Sequence, residues 1–373
     1  MVYFDYSAHT LASQHVLDTF LACEKEYTGN ANSHHGAGRK TEEKIQETTQ
    51  EISALLHVQP QEIIYTSGAT EANNLAVKGI AAASKHVGKH IVSTSLEHSS
   101  ISASLSTLQA QGYEIDLVPL AKTGEIDLEE LNDLIRDDTC LVSVSAVDSE
   151  LGIRQPLKEI SEIVKQYPDC RLHIDATQAI GKIPFDFSYG DTVSFSAHKF
   201  YGLTGIGALV KKENVSLVPQ MSGGASTTVY RSGTPAAGLI VSLLPALQDA
   251  LNDLDANYQK VQELNEYLQN EIRKMEHVQI NSTALSIPHI LNLSIPGLKG
   301  YESQKLLDER DIAVSVKSAC SVDLLPSKAV LAVTGNKRRA LESFRISLSP
   351  YTAKEECDTL LAAIEEISSG RSV

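Results

Sequence analysis

Lys199 lies in residues 191–210, DTVSFSAHKFYGLTGIGALV, between the apolar-rich runs 193–197 and 206–210, with His198 beside it. Lysine ammonium groups ordinarily stay hydrated, yet this one stands where two interior strands would meet a tight glycine-bearing turn. A loop lysine snorkelling to the surface fits the local pattern, and so does an amine held for chemistry. Three more strand ends carry reactive residue types. After the β-like run 62–66, Ser67-Gly68-Ala69-Thr70 turns the chain into a helical pattern beginning at Glu71. A helix start leaves free N–H groups and a positive dipole end at one spot, which suits an anion; a plain cap by Ser67 or Thr70 is the other reading. The turn matches neither G-x-G-x-x-G nor the P-loop, so no nucleotide is indicated. His98 follows a second strand, where its imidazole can stack on a flat ring or serve structure alone. Asp175 closes the strand-like run 171–176, with Gln178 three residues on; a carboxylate there can cap a helix or hold a protonated ring nitrogen.

One cofactor uses all four. Pyridoxal 5′-phosphate has a phosphate, an aromatic ring with a basic nitrogen, a 3′-hydroxyl, and an aldehyde that condenses with a lysine amine. In that frame Lys199 carries the aldehyde, Asp175 keeps the ring nitrogen protonated, Gln178 reaches the hydroxyl, and Ser196 and His198 add donors to the phosphate.

Such a constellation needs strands that end on one edge. Helical patterns at 41–56, 71–84, 99–111 and from 128 alternate with β-like runs at 62–66, 114–120, 140–147 and 171–176, which predicts a largely parallel α/β sheet covered on both faces. A helical stretch over 242–275 exceeds ordinary helix length and should break. Beyond it, strand-like runs in 289–297, 311–316 and 344–349, with helices near 301–308 and 354–367, predict a smaller α+β domain that the N-terminus joins. The expected division is 14–250 for the large domain and 1–13 plus 251–373 for the small one, which carries the Cys320 loop.

Composition sets outer bounds. Of 373 residues, 42% are hydrophobic and 21% charged, an ordinary globular balance. The net charge of −15 argues against nucleic acid as a direct partner. No apolar run approaches the ~20 residues of a membrane span, and the N-terminal residues show no secretory pattern. The five cysteines, at 23, 140, 170, 320 and 357, form no C-x-x-C pair; this suggests a reducing, cytoplasmic setting without zinc or disulfides.

The segments TSGATEANNLAVKG, EHSSI, HIDATQAIGK, SFSAHKFYGLTGIGAL, RSGTP and SACS occur here in an order and spacing that resemble the cysteine desulfurases, the NifS/IscS-like enzymes of the class V aminotransferase family. The resemblance runs from about residue 3 to 351. It implies the fold of a fold type I PLP-dependent transferase: a mainly parallel seven-stranded sheet covered by helices, with a smaller α+β domain. It also implies that Ala69 and Thr70 hold the phosphate, His98 stacks on the ring, Asp175 faces its nitrogen and Gln178 its 3′-oxygen. Ser196, His198 and Lys199 match the family's Ser-x-His-Lys. Thr234 would reach the phosphate of the other subunit in a homodimer with shared sites, and Arg345 would bind the carboxylate of L-cysteine. The implied reaction has the Lys199 amine or His98 move the Cα proton, after which the Cys320 thiolate takes the substrate sulfur as a persulfide and alanine leaves. An acceptor protein, an iron–sulfur scaffold or a tRNA-thiolation enzyme, would then collect the sulfur.

Three positions depart from the family pattern. Ser149 stands in VDSELG where the family has an asparagine that contacts cofactor and substrate, so weaker positioning is expected. Lys317 replaces a glycine before Ser318-Ala319-Cys320, which adds a charge able to depress the thiol pKa and removes a flexible point. The chain ends at Val373, soon after the last helical pattern, which puts docking of the iron–sulfur scaffold in doubt. Other class V activities (selenocysteine lyase, C–S lyase, aminotransferase) and a weakly active sulfur-carrier binding partner are the alternatives.

Overall fold

Strand β1 (Val2–Tyr3) opens the chain, followed by helices α1 (Gln14–Glu26) and α2 (Gly36–Leu56). An alternating region then runs β2 (Ile63–Thr66), α3 (Ala69–Ala83), β3 (His90–Ser93), α4 (Ser99–Gln109), β4 (Glu114–Leu117), α5 (Leu128–Leu134), β5 (Thr139–Ser145), α6 (Leu157–Val164), β6 (Arg171–Asp175), β7 (Thr192–Ser196) and β8 (Gly207–Lys211). After α7 (Ala237–Asn252) and α8 (Leu254–Ile272) come β9 (Gln279–Ile280), β10 (Ile290–Ser294), α9 (Gly300–Asp308), β11 (Ile312–Ala313), α10 (Lys328–Thr334), α11 (Lys337–Leu341), β12 (Ser343–Ser347) and α12 (Lys354–Ser369). The structure, a computed structural model, describes residues 1–317 and 325–370.

Strands β2 to β8 form one seven-stranded sheet in the order β2-β8-β7-β6-β5-β3-β4. All pairings are parallel except those of β8, which runs antiparallel to both β2 and β7. The expected mainly parallel sheet is therefore present, and the two apolar flanks of Lys199 are its interior strands β7 and β8. Alternation sorts their side chains to two faces. Ile63, Tyr65, Ala208 and Val210 join the core packed with α2 and α7. Ile64 and Leu209 point the other way, onto Ala72, Leu75 and Ala76 of α3.

A second, separate core unites Phe4 with Val261 and Leu268 of α8, with Leu291, Leu293, Phe344 and Ile346 of the strand pair β10–β12, and with Leu360 and Ile364 of α12. The first residues belong to it through β1, which pairs in parallel with β11.

Several element bounds differ from expectation for local reasons. Helix α2 starts at Gly36 and not near 41, because the His35 imidazole caps it by accepting from the Gly38 N–H. The long helical stretch is two helices separated by Asp253, with Pro245 inside the first. Helices α1, α10 and α11 lie outside the expected elements. Among the described residues no helix is long and apolar enough to cross a membrane.

Candidate active site

The C-terminal ends of the parallel strands and the start of α3 enclose a cavity of about 300 Å³, at the edge where open α/β sheets place ligands. One wall is an anion cup. Gly68 sits at φ +151°, ψ −179°, a backbone region essentially restricted to glycine, and a Cβ there would meet Ser196 Oγ at 3.2 Å. This turn sets the Ala69, Thr70 and Glu71 N–H groups at the first turn of α3, where no intrahelical acceptor exists for them, and all three residues line the cavity. Across the cup, Ser196 Oγ and His198 Nδ1 lie 2.9 Å apart. Burial, then the neighbouring Lys199, push the His198 pKa down to about 4, so its ring is neutral and presents a donor without charge.

Lys199 ends the single 3₁₀ turn Ala197–Lys199 after β7. It is half-buried, and its Nζ donates to the carbonyls of Ser7 (2.7 Å) and Ala8 (2.8 Å). The backbone beyond it is pinned: Tyr201 adopts φ +66°, its N–H donates to Thr10 Oγ1, and Thr10 Oγ1 donates to the His198 carbonyl. The residue segment 5–10 thus works as a strap over Lys199, with Ser7 and Ala8 lining the cavity, a role that its sequence did not signal.

Asp175, 5% exposed, closes β6. Its Oδ1 accepts from the Thr177 N–H (3.0 Å) and its Oδ2 from Asn73 Nδ2 (2.7 Å). No cation among the described residues pairs with it. Asn73, fully buried in α3, is the hub behind it. Its other N–H donates to Ser100 Oγ, which lies 2.9 Å from His98 Nδ1. Its Oδ1 accepts from His173 Nε2 (3.0 Å) and from Ser194 Oγ. Burial pushes the His173 pKa down to about 4, which makes Nε2–H a neutral donor. One amide therefore orients both the carboxylate and the histidine of the cavity. His98 caps α4 by accepting from the Ser100 N–H; burial first, and the nearby cations next, lower its pKa against the pull of Asp175.

Gln178 is 5% exposed. Its Nε2 donates to the Ser7 carbonyl (3.0 Å), and its Oε1 accepts from Lys182 Nζ (2.6 Å). Arg345, 1% exposed on β12, donates from Nη1 to the Ser149 carbonyl (2.6 Å) and from Nη2 to Asp5 (2.9 Å), while its buried Nε has no partner. Ser149 lines the cavity, and its carbonyl engages Arg345. Asp148 shapes that loop by accepting from the N–H groups of Glu150, Leu151 and Ile153.

Ala69, Thr70, His98, Ser149, Asp175, Gln178, Ser196, His198, Lys199 and Arg345 all line this one cavity. Thr234 does not; it is exposed on the segment before α7. Cys320 lies outside the described residues, and the other four cysteines are buried free thiols. Sequence reasoning missed Asp5, Ser7, Asn73 and Lys182. Asn73 alone carried a usable signal: in α3 it falls four and seven residues before Val77 and Ile80, on the apolar face.

The sequence matches the family Aminotransferase class-V over residues 2–360. It is 34% identical, over 98% of this chain and 94% of the relative, to a protein of Dictyoglomus turgidum named cysteine desulfurase IscS. A solved NifS-like protein superposes with a TM-score of 0.93 at 33% identity, covering 99% of both chains. A structure described as SspA in complex with cysteine gives a TM-score of 0.82 at 29% identity, over 95% of this chain and all of that one. Together the match, the relative and the superpositions place the chain in the class V aminotransferase family, among its NifS/IscS-like members.

Proposed function

We propose that this protein is a pyridoxal phosphate-dependent cysteine desulfurase that converts L-cysteine to L-alanine and holds the sulfur as a persulfide on Cys320. The observation that carries the proposal is the convergence, in one cavity, of a carbonyl-bound lysine amine, an unpaired buried carboxylate and an anion cup. The full-length relative named cysteine desulfurase, and the fold-mate described with cysteine bound, supply the substrate class.

The cavity fits the cofactor chemically. The cup around Gly68 suits a phosphate, Asp175 suits a protonated ring nitrogen, and Gln178 offers an amide N–H to a ring oxygen. When bound, pyridoxal phosphate supplies an electron sink that weakens bonds at the amino-acid carbon bearing the amine.

The chain's own groups then have these roles. Lys199 Nζ anchors the cofactor and, once displaced by substrate, carries a proton at its amine. Neutral His98 is the second proton carrier: with Nδ1 accepting from the Ser100 N–H, its proton sits at Nε2. Arg345 binds the substrate carboxylate through the Nη N–H groups that Asp5 and Ser149 leave open. The Cys320 thiolate attacks the substrate sulfur; the carbon–sulfur bond breaks, a sulfur–sulfur bond forms, and the proton count closes with alanine and a persulfide. An iron–sulfur scaffold or tRNA-thiolation protein then receives the sulfur.

We further propose a homodimer in which Thr234 serves the partner's site. Its exposure outside this chain's cavity, beside the exposed Val229, supports that reading. Two units follow the two cores, 14–250 and 1–13 with 251–373. The buried free thiols fit a reducing, cytoplasmic setting.

The test is product analysis with L-cysteine and a reductant. Alanine and sulfide in equal amounts are expected, and Cys320→Ser should stop sulfide release while the protein keeps its cofactor absorption. Lys199→Ala should lose that absorption. Pyruvate in place of alanine would point to a different C–S lyase.

A further inference from the structure

Lys182 is buried (6% exposed), yet no carboxylate among the described residues lies within ion-pairing distance of it. Lysine is rarely buried unless paired, so its one hydrogen bond among the described residues, 2.6 Å to Gln178 Oε1, calls for a reason. The other end of the same amide supplies it. Gln178 Nε2 faces the Ser7 carbonyl at 3.0 Å, which accepts and cannot donate. Rotating the amide by half a turn would set Oε1 against that carbonyl, and would give up the short bond from Lys182. A donor at the Lys182 position therefore selects one of two amide orientations, which sets the NH₂ half toward the cavity side. One of its two N–H bonds serves Ser7; the second is left for a ligand.

We propose that Lys182 is a positioning residue: by holding Gln178 Oε1 it keeps an amide N–H directed at the 3-oxygen of the bound pyridine ring. The inference rests on the cofactor assignment above. The arrangement reaches further, because the Ser7 carbonyl also accepts from Lys199 Nζ at 2.7 Å. Lys182, Gln178, Ser7 and Lys199 thus form one hydrogen-bonded row. Burial, then Lys199 and Arg345, press the Lys182 pKa well below its ordinary range, but neutral or charged, Nζ keeps an N–H to donate.

The experiment is a double-mutant cycle read by equilibrium dialysis of the purified apoprotein with pyridoxal 5′-phosphate. Lys182→Met, which keeps the length and removes the donor, should weaken binding about 5- to 30-fold, the range that one or two kcal/mol gives. In a Gln178→Leu background the same change should cost less than about two-fold, since the group it acts through is gone. With 3-deoxypyridoxal 5′-phosphate, which lacks the ring oxygen, Lys182→Met should likewise make little difference. Lys182→Arg, which preserves a donor, should retain most of the affinity and covers the case in which the methionine variant fails to fold. A loss that is equal in both backgrounds, or equal for both ligands, would overturn the positioning role and leave the cofactor assignment intact. A wild-type protein that binds no pyridoxal phosphate would instead sink that assignment, and this inference with it.

Discussion

Asn73 offers the sharpest test of how the site is held. Its side chain is fully buried and makes four hydrogen bonds, to Asp175, Ser100, His173 and Ser194. Asn73→Ala strands two fully buried groups, His173 Nε2–H and the Ser194 hydroxyl, which share its Oδ1. Each buried polar group left unsatisfied costs roughly 1–3 kcal/mol, so the apoprotein should lose about 3–4 kcal/mol, at the severe end for a single substitution. Ser194→Ala removes only one of those bonds and should cost about 1 kcal/mol. Asn73→Asp keeps both acceptor bonds but sets a second carboxyl oxygen about where Nδ2 stands, 2.7 Å from Asp175. Two carboxylates so close cannot both ionise cheaply, so this variant should hold a proton between them and lose stability as pH rises. Guanidinium unfolding of the apoprotein, followed at several pH values with matched slopes, measures all three. An Asn73→Ala protein within ~0.5 kcal/mol of wild type, the ordinary scatter of a neutral substitution, would refute the hub. The energetic link between Asp175 and His98 would then have to run elsewhere.

Three other outcomes follow from the geometry. Asp5→Asn removes the one carboxylate that pairs with the buried Arg345 among the described residues; the KM for cysteine should rise on the order of ten-fold, about 1.4 kcal/mol, with kcat less affected, and an unchanged KM in steady-state assays would contradict the assignment. Burial raises the Glu97 carboxyl from 4.5 to about 7, opposed by hydrogen bonds from Thr94 and Ser145. The folded chain therefore keeps a proton that the unfolded chain sheds, and the stability this lends below pH 4.5 is lost as pH climbs through about 7. Glu97→Gln should escape that loss, gaining on wild type by up to about 3 kcal/mol across the window; a difference independent of pH in denaturation midpoints would count against it. Gly68→Ala forces a side chain into glycine-only backbone space, so it should cost about 1–3 kcal/mol and weaken pyridoxal phosphate binding; dialysis showing undiminished affinity would mean the cup tolerates a Cβ.

What could be read in the sequence was what lies contiguous along it. Lys199, Asp175 with Gln178, and the 67–71 turn each sit at the end of an apolar run, and a strand end on a parallel sheet is both a pattern and a place. Contacts between distant segments left no such pattern. Ser7 reaches Lys199 across 192 positions and Gln178 across 171, through a backbone carbonyl that every residue possesses. Lys182 lies among apolar neighbours, Ile180 and Ile183, but its bond to Gln178 leaves no pattern in the sequence. Ser149 stood out by its side chain, whereas the bond that its carbonyl takes from Arg345 had no signal of its own. Thr234 stood in a recognisable motif, and its exposed place before α7 lies outside this cavity.

The strap also has a temporal side. The carbonyls that hold Lys199 are made almost first, and their segment is fixed by β1 on β11 and by Asp5 on Arg345, partners made almost last. On the ribosome the seven-stranded sheet can assemble, with Thr10 docked on His198 and Tyr201, while the other end of the strap still lacks β11 and Arg345. Completion waits until residue 345 has emerged. A nascent chain stalled before that point would hold the segment through Thr10 on His198 and Tyr201 and through Ser7 on Gln178 and Lys199, so the strap is gripped at one end first and at both ends only once residue 345 has joined.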